Sequence, residues 1–378
     1  MFTKKTKLAL VKGIITKETP IYVQFAITKH CNLNCGACAS SLSRKNEREL
    51  SLSEIEKISV VLSRLGAGII LLTGGEPFLR KDLPEIISAF CTKGFTVRLQ
   101  TNGILANEER IMAALQAGML EITVSLNSLT PEKHDSMVGL AGSWQRTITA
   151  IARFSQILPK RGAVLGINTI VSPQNLSELP AIIKFVTAIG FHSSLIQVHT
   201  APADKEDFII RKYAPEYAFH SEAFLEIDRV YTEIIKMKKQ GYRIYNSFEF
   251  LRNSPVFLKG KRVEWRCDSP NLYFAISPSG NFLPCVELKT AYSMLDDGFV
   301  ERYNSKEFKK EVGDMVTRCT GCYYACWPEM TYLCRNPLVF GERAIFGLRA
   351  AWEKRRPVTY ERCLEIRELI NSGGVPTA

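Results

Sequence analysis

Cys31, Cys35 and Cys38 place three thiols within eight residues, spaced C-x3-C-x2-C. Thiolates bind soft metal centres, and three of them can hold three irons of a cubane cluster while leaving the fourth iron open to an outside ligand. A closed structural zinc site asks for four ligands, usually in paired C-x2-C halves, and the one nearby candidate for a fourth is His30. Three unpaired buried thiols are the remaining alternative. A second group follows far downstream: Cys267, Cys285, Cys319, Cys322, Cys326, Cys334 and Cys363, with Cys91 alone on a helical stretch. Eleven cysteines clustered in this way point to metal binding in a reducing compartment rather than to disulfides.

Other polar residues stand at the ends of strand-like segments, where parallel α/β folds place their catalytic loops. The second segment ends in Thr73-Gly74-Gly75-Glu76-Pro77, the third in Gln100-Thr101-Asn102-Gly103 and the fourth in Val124-Ser125-Leu126-Asn127. The cysteine loop after the first strand, followed by Gly74-Gly75-Glu76 after the second, resembles the radical S-adenosylmethionine (SAM) superfamily and its GGE motif. The resemblance implies a [4Fe-4S] cluster on Cys31, Cys35 and Cys38 whose open iron chelates SAM. One electron then cleaves a carbon–sulfur bond, and the 5′-deoxyadenosyl radical abstracts hydrogen from a substrate. It also implies a SAM pocket in which Gly74 and Gly75 allow close approach and Glu76 accepts from the SAM ammonium. Thr101, Ser125 and Asn168 would add contacts; Ala37 stands where relatives carry an aromatic residue beside the adenine. Asn127 occupies a place where many relatives have Asp.

Cys267, Gly280 and Cys285 resemble the opening of the SPASM domain, a module that carries auxiliary iron–sulfur clusters, although two later spacings depart from its pattern. By that analogy Cys319, Cys322, Cys326 and Cys363 hold one cluster, while Cys267, Cys285 and Cys334 hold another with an open iron. The shorter "twitch" arrangement puts a single cluster on Cys267, Cys285, Cys319 and Cys322. A zinc ribbon at Cys319-x2-Cys322 is the third arrangement.

The elements that must position these residues alternate from residue 21 onward. Strand-like runs at 21–28, 68–72, 96–101, 121–126, 164–171 and 195–199 are separated by amphipathic runs at 52–65, 83–93, 108–117, 144–157 and 176–189. This order predicts an α/β fold, a partial (β/α)6 TIM-type barrel followed by a small α+β module. The expected division is an N-terminal extension over 1–20, the barrel over 21–200, a helical linker over 201–260, an auxiliary iron–sulfur region over 261–365 and a tail over 366–378. A hairpin is expected at 272–283, with Ser277-Pro278-Ser279-Gly280-Asn281 as its turn.

The charge of +11 is dispersed, so it selects no partner by itself, and no apolar run is long enough to span a bilayer. With no secretory signal at the N-terminus, a cytoplasmic location is expected. The resemblance implies modification of a ribosomally made peptide, or of a small molecule such as a sugar, tetrapyrrole or lipid precursor, with a reducing partner such as flavodoxin or ferredoxin and no nucleic acid. With the first strand about twenty residues in, a fused N-terminal peptide-recognition domain is not expected, which lowers the peptide expectation without removing it, since such a domain can be a separate protein. Arg211, Lys212 and Tyr213 are candidates to meet an anionic substrate group. From another class, a zinc-stabilised nucleic-acid-binding module would account for the basic charge but leave Gly74-Gly75-Glu76 unexplained.

Overall fold

The alternation of β-branched runs and amphipathic helices folds into one open barrel-like sheet, seen in a computed structural model that describes residues 2–38, 48–199, 214–319, 321–374 and 376. Its strands are β1 Tyr22–Thr28, β2 Ile69–Gly74, β3 Thr96–Thr101, β4 Glu121–Ser125, β5 Val164–Val171, β6 His192–Gln197, β7 Tyr273–Ile276 and β8 Phe282–Leu283. The spatial order is β6-β5-β4-β3-β2-β1-β7-β8. Strands β1 to β6 run parallel, as crossover helices require, and β7 pairs parallel with β1 through Tyr22 and Tyr273. The C-terminal hairpin β7–β8 therefore continues the barrel sheet rather than starting a sheet of its own.

The helices are α1 Lys4–Thr16, α2 Leu52–Arg64, α3 Leu83–Cys91, α4 Glu108–Gln116, α5 Pro131–Val138, α6 Ser143–Ile157 and α7 Leu179–Ala188 on the barrel side. They continue with α8 Phe224–Lys239, α9 Phe248–Leu258, α10 Phe299–Asn304, α11 Lys306–Thr317, α12 Cys326–Arg335, α13 Pro337–Trp352 and α14 Tyr360–Asn371. Helix α2 shows the local logic. Ser51 and Glu54 form a capping box that satisfies its first amides, and Ile55, Ile58 and Leu62 recur on one face and are buried under the sheet. The main core fills the space between strands and helices with residues such as Phe25, Leu72, Leu99 and Val124 against Ile58, Phe90, Ile151 and Ile183. A second apolar cluster, centred on Tyr22, Tyr273 and Trp327, seats the C-terminal module on β1. There the Trp327 and Tyr273 rings stack with centroids 4.9 Å apart.

Several boundaries differ from the pattern reading. The sixth strand lies three residues earlier than expected because His192 and Ser194 belong to it and line the barrel interior, so its inward face is polar. Residues 4–16 form a helix, and 248–258 form another despite Pro255 inside it. Helix α5 is too short to leave a periodic signature.

Candidate active site

The loop carrying Cys31, Cys35 and Cys38 leaves the C-terminal end of β1 and is held from three sides. Asn34 N donates to Val138 O at 3.1 Å, which fixes it to the end of α5. Gly75 N donates to Thr28 O at 2.7 Å and Glu76 N to His30 O at 2.8 Å, which fixes it to the end of β2. The Asn102 side-chain amide donates to Asn32 Oδ1 at 2.8 Å, which fixes it to the end of β3. Glycine is required at the second of these contacts. A Cβ on Gly74 would stand 2.1 Å from Thr28 O, and one on Gly75 would stand 1.9 Å from His30 O.

The two glycines thus also serve packing within the fold. They let the β2 loop touch the backbone that launches the cysteine loop, and of the two only Gly74 also lines the central cavity. Glu76 is likewise held by contacts within the fold. Its side chain is 1% exposed and its carboxylate accepts from Phe78 N at 3.1 Å, Thr101 Oγ1 at 2.6 Å and Asn102 N at 2.8 Å. Neither Glu76 nor Thr101 reaches the cavity; together they tie the end of β2 to the end of β3. Burial pushes the Glu76 carboxyl above its ordinary range, against the pull of those donors.

Inside the barrel lies a cavity of about 360 Å³, within the size range of small-ligand sites. Cys35, Ala37, Cys38, Thr73 and Gly74 form one side, and Ser125, Asn127 and Asn168 continue it along β4 and β5. Tyr324, Cys326 and Met330 of the C-terminal module close the other side. His199 links the two halves. It contacts Gln197 O through Nδ1 at 2.8 Å, accepts from Tyr323 N at Nε2 at 3.0 Å and stacks on Tyr324 with centroids 3.6 Å apart.

Toward the N-terminal ends of the strands the cavity has a charged floor that the sequence reading missed. Arg98 Nε donates to Glu121 Oε2 at 2.5 Å, and Arg343 Nη2 donates to Glu329 Oε2 at 2.7 Å. The Arg343 guanidinium sits 3.7 Å above the Tyr245 ring. Burial alone would raise the Tyr245 phenol, but Arg343 and Arg98 outweigh it and hold the phenol below its ordinary value. The signal was present as polar residues at alternate positions of buried strands: Tyr22 and Gln24 on β1, Arg98 and Gln100 on β3, His192 and Ser194 on β6.

The donor chemistry fits a cluster on the first loop. The Cys35 thiol is pushed up to about 12 by burial and by the adjacent Cys38 and Cys31, so thiolates here call for a strongly positive centre. In the second group, burial raises Cys267, Cys285 and Cys322, and they lie within electrostatic reach of one another, with Cys319 beside Cys267. Cys326 and Cys334 border the same apolar cluster as these thiols, and Cys363 lies elsewhere. Cys326 starts α12 and faces the cavity, with its sulfur 3.8 Å from Gln24 Oε1. Cys334 lies buried beside Asp268 and Arg335. Cys363 is fully buried in the main core on α14, which packs on α6 and α7.

Cys363 stands apart from the rest of the group: its helix belongs to the outer layer of the barrel, whereas the other cysteines surround the second apolar cluster or its rim. Cys91 ends α3 away from both groups. Among the described residues no three Cys, His, Asp or Glu side chains close on one point as ligands of a single metal ion do. Arg211, Lys212 and Tyr213 lie outside the described residues.

Residues 25–186 match the family model for the radical SAM superfamily. The chain is 31% identical over 198 residues to an AdoMet-dependent heme synthase of Methanosarcina barkeri, which covers 51% of this chain and about half, 55%, of that protein. It is 25% identical over 278 residues to a PqqA peptide cyclase of Granulibacter bethesdensis, covering 73% and 70% of the two chains. The fold is similar to Streptococcus suis SuiB bound to the precursor peptide SuiA, with a TM-score of 0.61, 14% identity and coverage of 81% and 70%. It is also similar to anSMEcpe with bound AdoMet and a Cp18Cys peptide, with a TM-score of 0.56, 15% identity and coverage of 93% and 98%. The three-thiol motif and most of the open barrel thus lie within the stretch that matches the radical SAM family model, residues 25–186, and the C-terminal hairpin and helices pack onto that barrel.

Proposed function

We propose that the chain modifies a peptide by radical chemistry, with Cys31, Cys35 and Cys38 holding the catalytic cluster and Cys267, Cys285, Cys319 and Cys322 holding one auxiliary cluster. The observation that carries this reading is the cavity itself, which has the three-thiol loop on one wall and the auxiliary module on the other. Cluster and SAM, once bound, supply reductive carbon–sulfur cleavage and a carbon-centred radical that abstracts hydrogen.

The chain's own residues position and protect that chemistry. Cys35, Ala37, Cys38, Thr73 and Gly74 form the wall against which SAM would lie, and Ser125 and Asn168 offer polar groups along β4 and β5. Ala37 leaves the adenine without an aromatic neighbour from its own loop, so it would rest on other side chains of the cavity wall, among them Met137, Ile170 and Tyr217. Tyr324 and Met330 exclude water from the opposite side. Auxiliary iron near this wall would take an electron from a substrate radical and make the reaction oxidative. The charged floor of Arg98, Glu121, Tyr245 and Arg343 would orient a polar part of the substrate. A small reducing protein such as flavodoxin or ferredoxin would deliver the starting electron.

Support for a peptide comes from the relatives named PqqA peptide cyclase and from the likeness to SuiB with its precursor peptide. Support for a small molecule comes from the relative named heme synthase and from the depth and polarity of the floor. The test is to follow 5′-deoxyadenosine from reconstituted protein, SAM and dithionite while peptides encoded beside its gene are added. A peptide that loses hydrogens in step with 5′-deoxyadenosine supports the reading; turnover stimulated only by a tetrapyrrole or sugar replaces it.

A further inference from the structure

Two helices cover the end of the barrel opposite the cysteine loop. Helix α1 binds the starts of β2 and β3, with Thr6 Oγ1 donating to Gly68 O at 2.7 Å and lying 2.9 Å from Thr96 Oγ1. Helix α13 covers the starts of β5 and β6. Its Phe346 ring packs on His192 with centroids 4.5 Å apart, and its Ala350 O accepts from Gly162 N.

Each helix turns a second, apolar face outward. On α1 the buried Thr6, Ala9 and Gly13 face the barrel, while Leu8, Val11 and Ile15, spaced i, i+3 and i+7, are 55%, 53% and 75% exposed. On α13 the barrel-side residues are Val339, Arg343 and Phe346. Leu338, Ile345, Leu348 and Trp352, on the far side, are 78%, 55%, 60% and 77% exposed. A single exposed leucine needs no explanation, but seven such apolar residues on two helices at one end of a barrel make two apolar stripes of the kind that contact a partner.

The charges around the patch select the partner. Lys4, Lys7 and Lys12 are exposed beside the α1 stripe, and Arg349, Lys354 and Arg356 lie exposed along or just beyond the α13 stripe. The nearby acids are engaged: Glu18 with Lys309, Glu342 with Lys238 and Glu353 with Arg243. An apolar stripe rimmed by lysine and arginine is what an anionic bilayer surface binds, through the apolar burial of its side chains and the attraction of its headgroups. A two-fold pairing with a second copy would instead set this basic rim against itself. No helix among the described residues is long and apolar enough to cross a membrane, so contact would be with the surface alone.

We propose that the α1–α13 end of the barrel docks on an anionic lipid surface, with the cysteine-loop mouth of the cavity directed away from it. The inference does not depend on the substrate reading. It is tested by co-sedimentation of the reconstituted full chain with phosphatidylcholine vesicles and with vesicles that also contain phosphatidylglycerol.

The expected result is binding to the mixed vesicles, little binding to phosphatidylcholine alone, and release as salt screens the headgroups. Leu348→Glu with Trp352→Glu should lower the bound fraction by about tenfold, and Leu8→Glu with Ile15→Glu should do so independently. Both pairs should keep the iron content and circular dichroism of the parent. Failure of the parent to bind the mixed vesicles overturns the proposal, as does equal binding by parent and variants. A dimer that the same substitutions dissociate, without any vesicle binding, assigns the patch to a second copy instead.

Discussion

The Gly75 Cα faces the His30 carbonyl so closely that an added Cβ would stand 1.9 Å from that oxygen. The glycine is thereby tied to the placement of Cys31, the next residue along. The contact is backbone against backbone, so no flexible side chain can move aside. Gly75→Ala should displace the loop or strain it, at a cost of about 1–3 kcal/mol, as overpacking does elsewhere. The expected outcome is a lower melting temperature and reduced iron incorporation on the first loop. Full iron and unchanged melting would show that the loop is not held this way.

Glu76 separates two roles for its carboxylate. Because it accepts from Phe78 N, Thr101 Oγ1 and Asn102 N in a buried setting, Glu76→Gln turns one acceptor oxygen into a donor group facing donors. Loss of stability of about 1–3 kcal/mol in denaturant titration is expected, and Thr101→Val should lose part of the same amount. If Glu76→Gln instead left stability intact and weakened SAM binding, the carboxylate would be a direct SAM ligand.

Auxiliary iron distinguishes the cysteines. Cys319→Ala or Cys285→Ala should remove about four irons from reconstituted protein, the content of one cubane cluster. Cys363→Ala and Cys326→Ser should remove none, since Cys363 lies in the apolar core and Cys326 faces the cavity. Loss of iron from Cys363→Ala would favour the two-cluster partition, and zinc present in the parent but lost from Cys319→Ala with iron unchanged would favour a knuckle.

Much of the barrel was legible because its strands are short β-branched runs between amphipathic helices, and the three-thiol loop and Gly74-Gly75-Glu76 sit where such strands end. What was not legible depends on the third dimension. Spacing could not say that Cys326 opens a helix turned toward β1, nor that Cys363 belongs to a helix on the outer layer of the barrel. The motif marked Glu76 as a ligand contact but could not show that Phe78 N, Thr101 Oγ1 and Asn102 N all donate to its carboxylate. The sixth strand was misplaced because its inward residues are polar, and that same polarity marks the charged floor.

His192 provides a pH signature. Burial first, and then the cations Arg243, Arg349, Lys238 and Arg343, lower its imidazole from 6.5 to about 3. The folded protein thus keeps it neutral while the unfolded chain takes up a proton below about 6.5, so its contribution is present above that pH and is lost as pH falls toward 3. His134, lowered to about 4 chiefly by burial, acts in the same direction. Melting temperature should fall between pH 6.5 and pH 4, and His192→Phe should fall less steeply over this window. Parallel curves for parent and variant would contradict the assignment.

The most direct test of the central claim is dithionite-dependent formation of 5′-deoxyadenosine from SAM by anaerobically reconstituted protein, compared with Cys31→Ala, Cys35→Ala and Cys38→Ala. The account predicts turnover by the parent, none by the three variants, and auxiliary iron retained in each. Turnover that survives in all three variants would contradict it.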